Sequence, residues 1–474
     1  MFLLVTGVAL AVIGPAAAAE ANLESATVTF TKDILPILGK LSGMPRPNNI
    51  APMSLLTYQS TRPWAKAIRA AVVSRKMPPW SAYPKYGHFS NDLSLQQSDV
   101  DKIVKWADSG APEGNPHVAP PARQFPENGW TTKPDIVLNG IPYTVQAHTK
   151  SDVIEWMTLV TPTGFTKDTW VTSIEIKPSE LAVTHHICAS FVPHRADTVY
   201  NTMLWTDKTR DASGVEVAPT ERTFLLPTAD GKGIPIERRV RNNTRPQPGS
   251  ADANGAGLLG VGFTCYVPGR TLSDFRPFDA GLLIPAGYDV NWTIHYTPNG
   301  TELTDRPQIG LTVAKEQPSL LIESFGGVSP LEFAIPPNDG NYEAPLSLNT
   351  FNVDAELRWM SPHMHLRGKN MQYKLVFPDG REQIILNVPR YDFNWQLGYD
   401  LADPIKVPKG TKLVVSAHYD NSVNNKFNPD PNGTVYIGNM TWEEMDTPFF
   451  AITVDKNVNP ATAVTIPRGA TGGA

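Results

Sequence analysis

Ten histidines occur in this chain of 474 residues. Five of them fall where a metal ion could use them. His363 and His365 stand at i and i+2 in Ser361-Pro362-His363-Met364-His365-Leu366-Arg367-Gly368-Lys369. The run that follows, Met371 to Phe377, alternates, and Pro378-Asp379-Gly380 turns it. A strand is predicted here, and on a strand i and i+2 leave the same face, so both imidazoles can reach one ion. His185 and His186 are adjacent in the apolar run Leu181 to Val192. A regular strand sends neighbours to opposite faces, so this pair can share an ion only through a local distortion or through different ring nitrogens. His295 lies on the apolar run Asp289 to Tyr296, and Met445 closes the acidic stretch Thr441-Trp442-Glu443-Glu444-Met445. Imidazole with thioether is a ligand set that suits copper better than zinc or magnesium. Taken singly, each feature has an ordinary reading: surface histidines, a satisfied core histidine, a core methionine. Only the set points to a metal.

The elements that must carry these residues are mostly strands. Length argues for two to four domains. Hydrophobic residues make up 41% and charged residues 18%, a core-forming balance. The 44 prolines and 35 glycines favour short strands and turns. Net charge is −5 with no basic run, which disfavours a nucleic-acid partner. Residues 1–19 are almost wholly apolar and end in Ala16-Ala17-Ala18-Ala19, the pattern of a signal peptide cut near Ala19, although no Lys or Arg precedes it. No other stretch approaches membrane-spanning length. The expectation is a periplasmic or secreted protein without stable membrane insertion. Cys188 and Cys265 are the two cysteines. In an oxidising compartment they could form a disulfide or remain two buried thiols, and the sequence leaves both open.

Residues 27–118 read as helical. One short helix opens near Thr31, a second follows Thr61 as N-cap with Pro63 in its first turn, and a third spans Ser98 to Ala107 before Gly110. Residues 119–133 form a proline-rich linker, expected to be extended and stiff. Two β-sandwiches follow, 134–320 and 321–457, stacked in series. An aperiodic insertion runs from about Asp207 to Gly257, and the tail from Val458 should fray. His418 could orient a ligand from behind. His88, His117, His148 and His194 read as surface or loop residues. There is no Gly-x-Ser-x-Gly and no His-Glu-x-x-His, so a hydrolase finds no support.

Two resemblances follow from these motifs. Ala51-Pro52-Met53-Ser54-Leu55, Arg62-Pro63-Trp64-Ala65, Met77-Pro78-Pro79-Trp80 and Gly110-Ala111-Pro112-Glu113-Gly114 resemble a small c-type cytochrome domain fused to certain bacterial exported oxidoreductases. That domain holds haem through Cys-x-x-Cys-His, and the matching stretch here is Leu41-Ser42-Gly43-Met44-Pro45. Both thiols and the histidine are absent, which argues against haem even though Met77 matches the axial methionine. The resemblance leaves two readings, a haemless relic that packs against the next domain or a repurposed docking or copper-handling module. Thr184-His185-His186-Ile187, Thr293-Ile294-His295-Tyr296, the His363-Met364-His365 motif and Thr441-Trp442-Glu443-Glu444-Met445 occur in the order seen in the copper type II, ascorbate-dependent monooxygenases. These include the peptidylglycine α-hydroxylating and dopamine β-monooxygenases, and the resemblance covers residues from near 150 to near 455.

The implied fold is two tandem jelly-roll-like β-sandwich domains facing across a solvent cleft, preceded by the small α-helical cytochrome c-like domain. The implied cofactors are two copper ions per chain. His185, His186 and His295 would hold one that stores an electron. His363, His365 and Met445 would hold the other, catalytic one. Dioxygen and a small-molecule substrate would be joined by ascorbate or a small redox protein as electron donor. Two positions depart from the peptide-processing relative: its carboxylate-gripping Arg is Ser361 here, and a helping Tyr is Phe449. With Trp359 and Phe450 nearby, they suggest a less polar or aromatic substrate rather than a peptide. The alternative is an exported copper- or ligand-binding protein derived from such an enzyme and no longer catalytic.

Overall fold

The structure, a computed structural model, describes residues 27–40, 53–121, 129–147, 156–194, 196, 198, 200–201, 203–205, 209–210, 216–217, 221–226, 234–239, 261–267, 271–326, 333–437 and 443–466. Residues 1–19, expected to be a signal peptide, the 41–45 stretch, the middle of the linker, His148 and Trp442 lie outside these residues. The chain divides into two compact units.

The first unit is helical. A π-helical turn at Phe30–Ile34 runs into α1 (Leu35–Lys40), and α2 (Tyr58–Thr61) continues through a 3-10 turn into α3 (Ala65–Val73). Thr61, expected as the N-cap, is fully buried; the capping box is formed one turn earlier by Thr57 and Ser60. The helix α4 (Gln97–Asp108) buries Val100, Ile103 and Trp106, three or four residues apart, on one stripe. Gly110 ends it at φ +88, where a side chain would be strained. Phe30, Ile34, Ile68, Val72 and Trp106 form this unit's core.

The helical domain expected over 27–118 is interrupted. Residues 79–92 belong to the second unit. Trp80 and Phe89 pack edge-on and tilted against Tyr399, at 5.0 and 5.4 Å between centroids. Backbone hydrogen bonds join Tyr83 to Asn387 and Ser90 to Asp400. Aromatic burial on this strand outweighs membership of the helical cluster. The end of the linker is also held: Thr131 and Thr132 N–H groups donate to buried Glu175, and Lys177 lies over the Trp130 ring.

The second unit is β. Its main strands are β1 (Ile136–Asn139), β2 (Trp156–Pro162), β3 (Thr169–Lys177), β4 (Thr184–Pro193), β5 (Val261–Tyr266), β6 (Ala280–Ile284), β7 (Tyr288–Tyr296), β8 (Gln308–Val313) and β9 (Leu320–Gly326) in the first half. The second half holds β10 (Ser347–Phe351), β11 (Ala355–His363), β12 (Gly368–Val376), β13 (Glu382–Val388), β14 (Tyr399–Val407), β15 (Lys412–Tyr419), β16 (Thr447–Asp455) and β17 (Val464–Thr465). Among the described residues one sheet runs β1-β8-β3-β6-β9-β16-β11-β14. Its first strands pack against the sheet β5-β4-β7-β2 around Val171, Ile187 and Trp292; its last strands pack against β13-β12-β15-β10-β17 around Leu357, Tyr373 and Phe450. The result is two β-sandwiches with two cores.

These sandwiches share a sheet instead of following end to end. β9 pairs in parallel with β6 and antiparallel with β16 over seven residues. Its Leu321 and Phe325 join the second core, and Ile322 joins the first. Gly281 permits the close approach, since a Cβ there would stand 2.7 Å from Pro318. Beside β9, Gly262 at φ +66 donates its N–H to the buried Glu323 carboxylate at 3.0 Å.

Two further expectations change. The insertion holds an antiparallel hairpin, Glu221–Leu226 with Ile234–Arg239. The tail from Val458 does not fray at once: a helical turn at Pro460–Ala463 is capped by Asn459, and β17 pairs with β10.

Candidate metal centre

His185, His186 and His295 meet because of a β-bulge. In the β7–β4 ladder, His295 lies opposite His186 and Tyr296 opposite Thr184, so His185 is the extra residue without a partner across the ladder. A bulge re-aims side chains that regular alternation would separate. The three ring centroids form a near-equilateral triangle, 5.2, 4.9 and 5.2 Å on a side. Their candidate donor atoms all lie within 4.8 Å of one another. The local distortion that adjacent ligating histidines would require is therefore present. Nδ1 of His185 is buried without a hydrogen-bond partner among the described residues, an atom that a metal ion would satisfy.

His363 and His365 also come together, with ring centroids 5.3 Å apart and nearly perpendicular. They do not share a strand. His363 is the last residue of β11, and His365 sits in the turn that leads to β12. The ladder stops because side chains take over the backbone groups. The Tyr391 hydroxyl accepts from Met364 N–H and donates to Met364 C=O. The Glu444 carboxylate accepts from the N–H groups of His365 at 2.8 Å and Arg367 at 2.6 Å. His363 pairs with Thr447 across the sheet, and Met445 lies two residues upstream of that partner, next to Glu443 and Glu444, which bond His365.

The ring nitrogens are oriented. His363 Nδ1 lies 2.8 Å from Gln396 Oε1, and His365 Nδ1 lies 3.3 Å from the Glu443 carbonyl. Both oxygens are acceptors, so Nδ1 carries the proton in each ring and Nε2 is the donor nitrogen. Burial disfavours the charged imidazolium at His185, His186, His295 and His363. It pushes the His295 pKa down to about 3 and His363 to about 4, lowers His185, and lowers His186 further with help from the four other histidines. Neutral imidazole is the form that ligates metals.

The two histidine sets are neighbours. Phe393 stacks on His185 at 5.6 Å and meets His365 edge-on at 6.0 Å. Phe449 packs on His363 at 5.9 Å and stacks on Phe263 of β5 at 5.0 Å. One aromatic ring, Phe393, therefore touches a histidine of each set. Phe450 is not part of this wall: it is fully buried in the second core against Phe325. Ser361 donates to the Leu397 carbonyl. His418 bonds Asn370. Cys188 and Cys265 form a disulfide between paired positions of β4 and β5, two residues beyond His186.

Sequence reasoning missed Phe263, Phe393, Gln396 and Glu444. Phe393 and Gln396 lie on the 391–397 loop, and nothing local in Tyr391-Asp392-Phe393-Asn394-Trp395-Gln396 states which histidines it will cover. Glu444 could have been suspected from its place beside Met445.

No protein-family model matches the chain, and no curated protein matches it. Matches among solved structures include the VP2 subviral particle of infectious bursal disease virus, at 10% identity over 73% of this chain and 80% of that chain, with a TM-score of 0.18. The Gt strain of that virus matches at 8% identity over 72% and 78%, also with a TM-score of 0.18. Likenesses this weak carry nothing about fold or function.

Proposed function

We propose that this protein is an exported copper-dependent monooxygenase that hydroxylates a C–H bond with dioxygen and an external one-electron reductant. The observation that carries the reading is the pairing of two unlike ligand sets within one unit: a bulge-made triangle of three imidazoles, and a histidine pair beside a methionine-bearing segment. Three imidazoles suit one-electron storage, and two imidazoles with a thioether favour Cu(I). Copper, when bound, would supply the one-electron steps and the binding of dioxygen. His185, His186 and His295 would hold the first ion; His363, His365 and Met445 would hold the second.

The chain's own residues do the rest. Burial keeps the imidazoles neutral, Gln396 and the Glu443 carbonyl present the Nε2 atoms, and Phe393 keeps bulk water from the space between the sets. Phe449 and Phe263 give His363 an apolar neighbour, which favours a substrate whose reacting C–H lies on an apolar group. Ser361 offers no cation to a substrate carboxylate. Overall, R–H, O2, two electrons and two protons give R–OH and water. In this reading the sandwiches are jelly-roll-like and the first unit descends from a cytochrome c-like domain. The expected leader and the disulfide fit an oxidising compartment. Among the described residues no helix is long and apolar enough to cross a membrane.

The test is copper content after reconstitution, with an absorption spectrum and ascorbate-driven oxygen uptake on the same sample. Two copper ions per chain, one in His363→Ala, no Soret band, and oxygen uptake that rises with a hydroxylatable apolar compound are expected. Bound copper with no turnover on any compound would leave a binding protein. No bound copper would sink both.

A further inference from the structure

We infer that Glu444 is a positioning residue that locks the Met445 segment onto the turn carrying His365, and so sets the thioether of the second ligand set. This rests on the copper reading above. The Glu444 side chain is fully buried, and its two carboxylate oxygens accept from two different backbone N–H groups of one turn, His365 at 2.8 Å and Arg367 at 2.6 Å. Both carboxylate oxygens are thus engaged by the protein, so the group acts through the backbone and not as a metal ligand. The residue before it uses its carbonyl to fix the proton of His365 on Nδ1. The residue after it is Met445, whose own carbonyl is held at 2.8 Å by the Tyr419 hydroxyl.

Three consecutive residues, 443–445, are therefore restrained: Glu443 and Glu444 by the turn that carries His365, and Met445 by Tyr419 of β15. No strand ladder does this work, because β16 begins only at Thr447 and β11 ends at His363. Across that gap the Glu444 carboxylate joins the imidazole side to the thioether side through two hydrogen bonds, beside the single contact of the Glu443 carbonyl with His365. Two hydrogen bonds from one turn to the two oxygens of one buried side chain fix that side chain's direction. Groups that orient a ligand from behind typically change metal affinity 10- to 100-fold when removed.

The experiment uses the full chain loaded with Cu(I), read by copper-edge X-ray absorption for a sulfur scatterer, by copper count, and by circular dichroism and thermal melting for the fold. Wild type is expected to hold two copper ions and show sulfur. Glu444→Ala should keep its fold and the first copper, lose the sulfur contribution, and bind the second Cu(I) about 10- to 100-fold more weakly. Glu444→Gln retains one acceptor oxygen and should keep sulfur while binding the second ion about tenfold more weakly. Should Glu444→Ala fail to fold, Glu444→Gln decides alone: wild-type affinity there overturns the inference. Sulfur at wild-type intensity in a folded Glu444→Ala also overturns it. A wild type with no sulfur scatterer or no copper would instead overturn the ligand assignment on which the inference stands.

Discussion

At the scale of single residues, the site depends on atoms whose partners are fixed. Gln396 accepts from His363 Nδ1, so Gln396→Leu should leave the fold intact and weaken the second metal about 10- to 100-fold, measured by competition with a Cu(I) chelator. Phe393 stands between the sets. Phe393→Ala should admit water and raise the accessibility of His185, seen as faster hydrogen–deuterium exchange at its ring C2 position, with copper count unchanged. The three histidines that the fold gathers, His185, His186 and His295, were legible in the sequence as imidazoles on two apolar runs, whereas Met445 was named by the resemblance alone. Phe450 was misread as part of the substrate wall. On a strand neighbouring side chains leave opposite faces, and only the folded packing puts Phe449 against His363 and Phe450 against Phe325.

At the scale of elements, β4 carries the bulge, two of the histidines and one half of the disulfide. The bridge closes a 77-residue separation, for which loop entropy gives a stabilisation of about 4 kcal/mol. Cys188→Ser with Cys265→Ser should lower the melting temperature of the second unit by several degrees, measured by calorimetry. The bulge itself was legible only as a requirement: adjacent histidines needed a distortion, but the register of His295 opposite His186 is a tertiary fact. On β9, Glu323 is buried at the seam, and burial raises its pKa from 4.5 to about 7. The folded state therefore holds the proton more tightly than the unfolded chain. Its contribution to stability is fully present below pH 4.5 and is lost as pH rises to about 7, on the order of 3 kcal/mol. Glu323→Gln should flatten this slope and be more stable than wild type at pH 8, measured by urea unfolding of both proteins at each pH.

At the scale of the whole chain, strand-rich organisation and two cores were readable from alternation and turn spacing. The shared sheet was not, because the β6–β9 and β9–β16 pairings join strands whose sequences say nothing of their neighbours. Residues 79–92 were likewise assigned to the helical stretch by chain position, while Trp80 and Phe89 find their burial against Tyr399. The shared sheet should make the second unit melt in one calorimetric transition, since neither sandwich can open without breaking β9; two transitions from this unit would count against that coupling. It also gives the protein a timetable. β16 lies in the middle of the sheet yet nearly last in the chain, at Thr447–Asp455. A chain still being made, or threaded unfolded from its N-terminus, holds β9 and β11 with bare edges until that strand arrives. Met445 and Glu444 arrive with it. Chains cut short before residue 443 should therefore be both aggregation-prone and unable to retain the proposed second metal ion, because residues 443–455 bring the missing strand and the proposed thioether together.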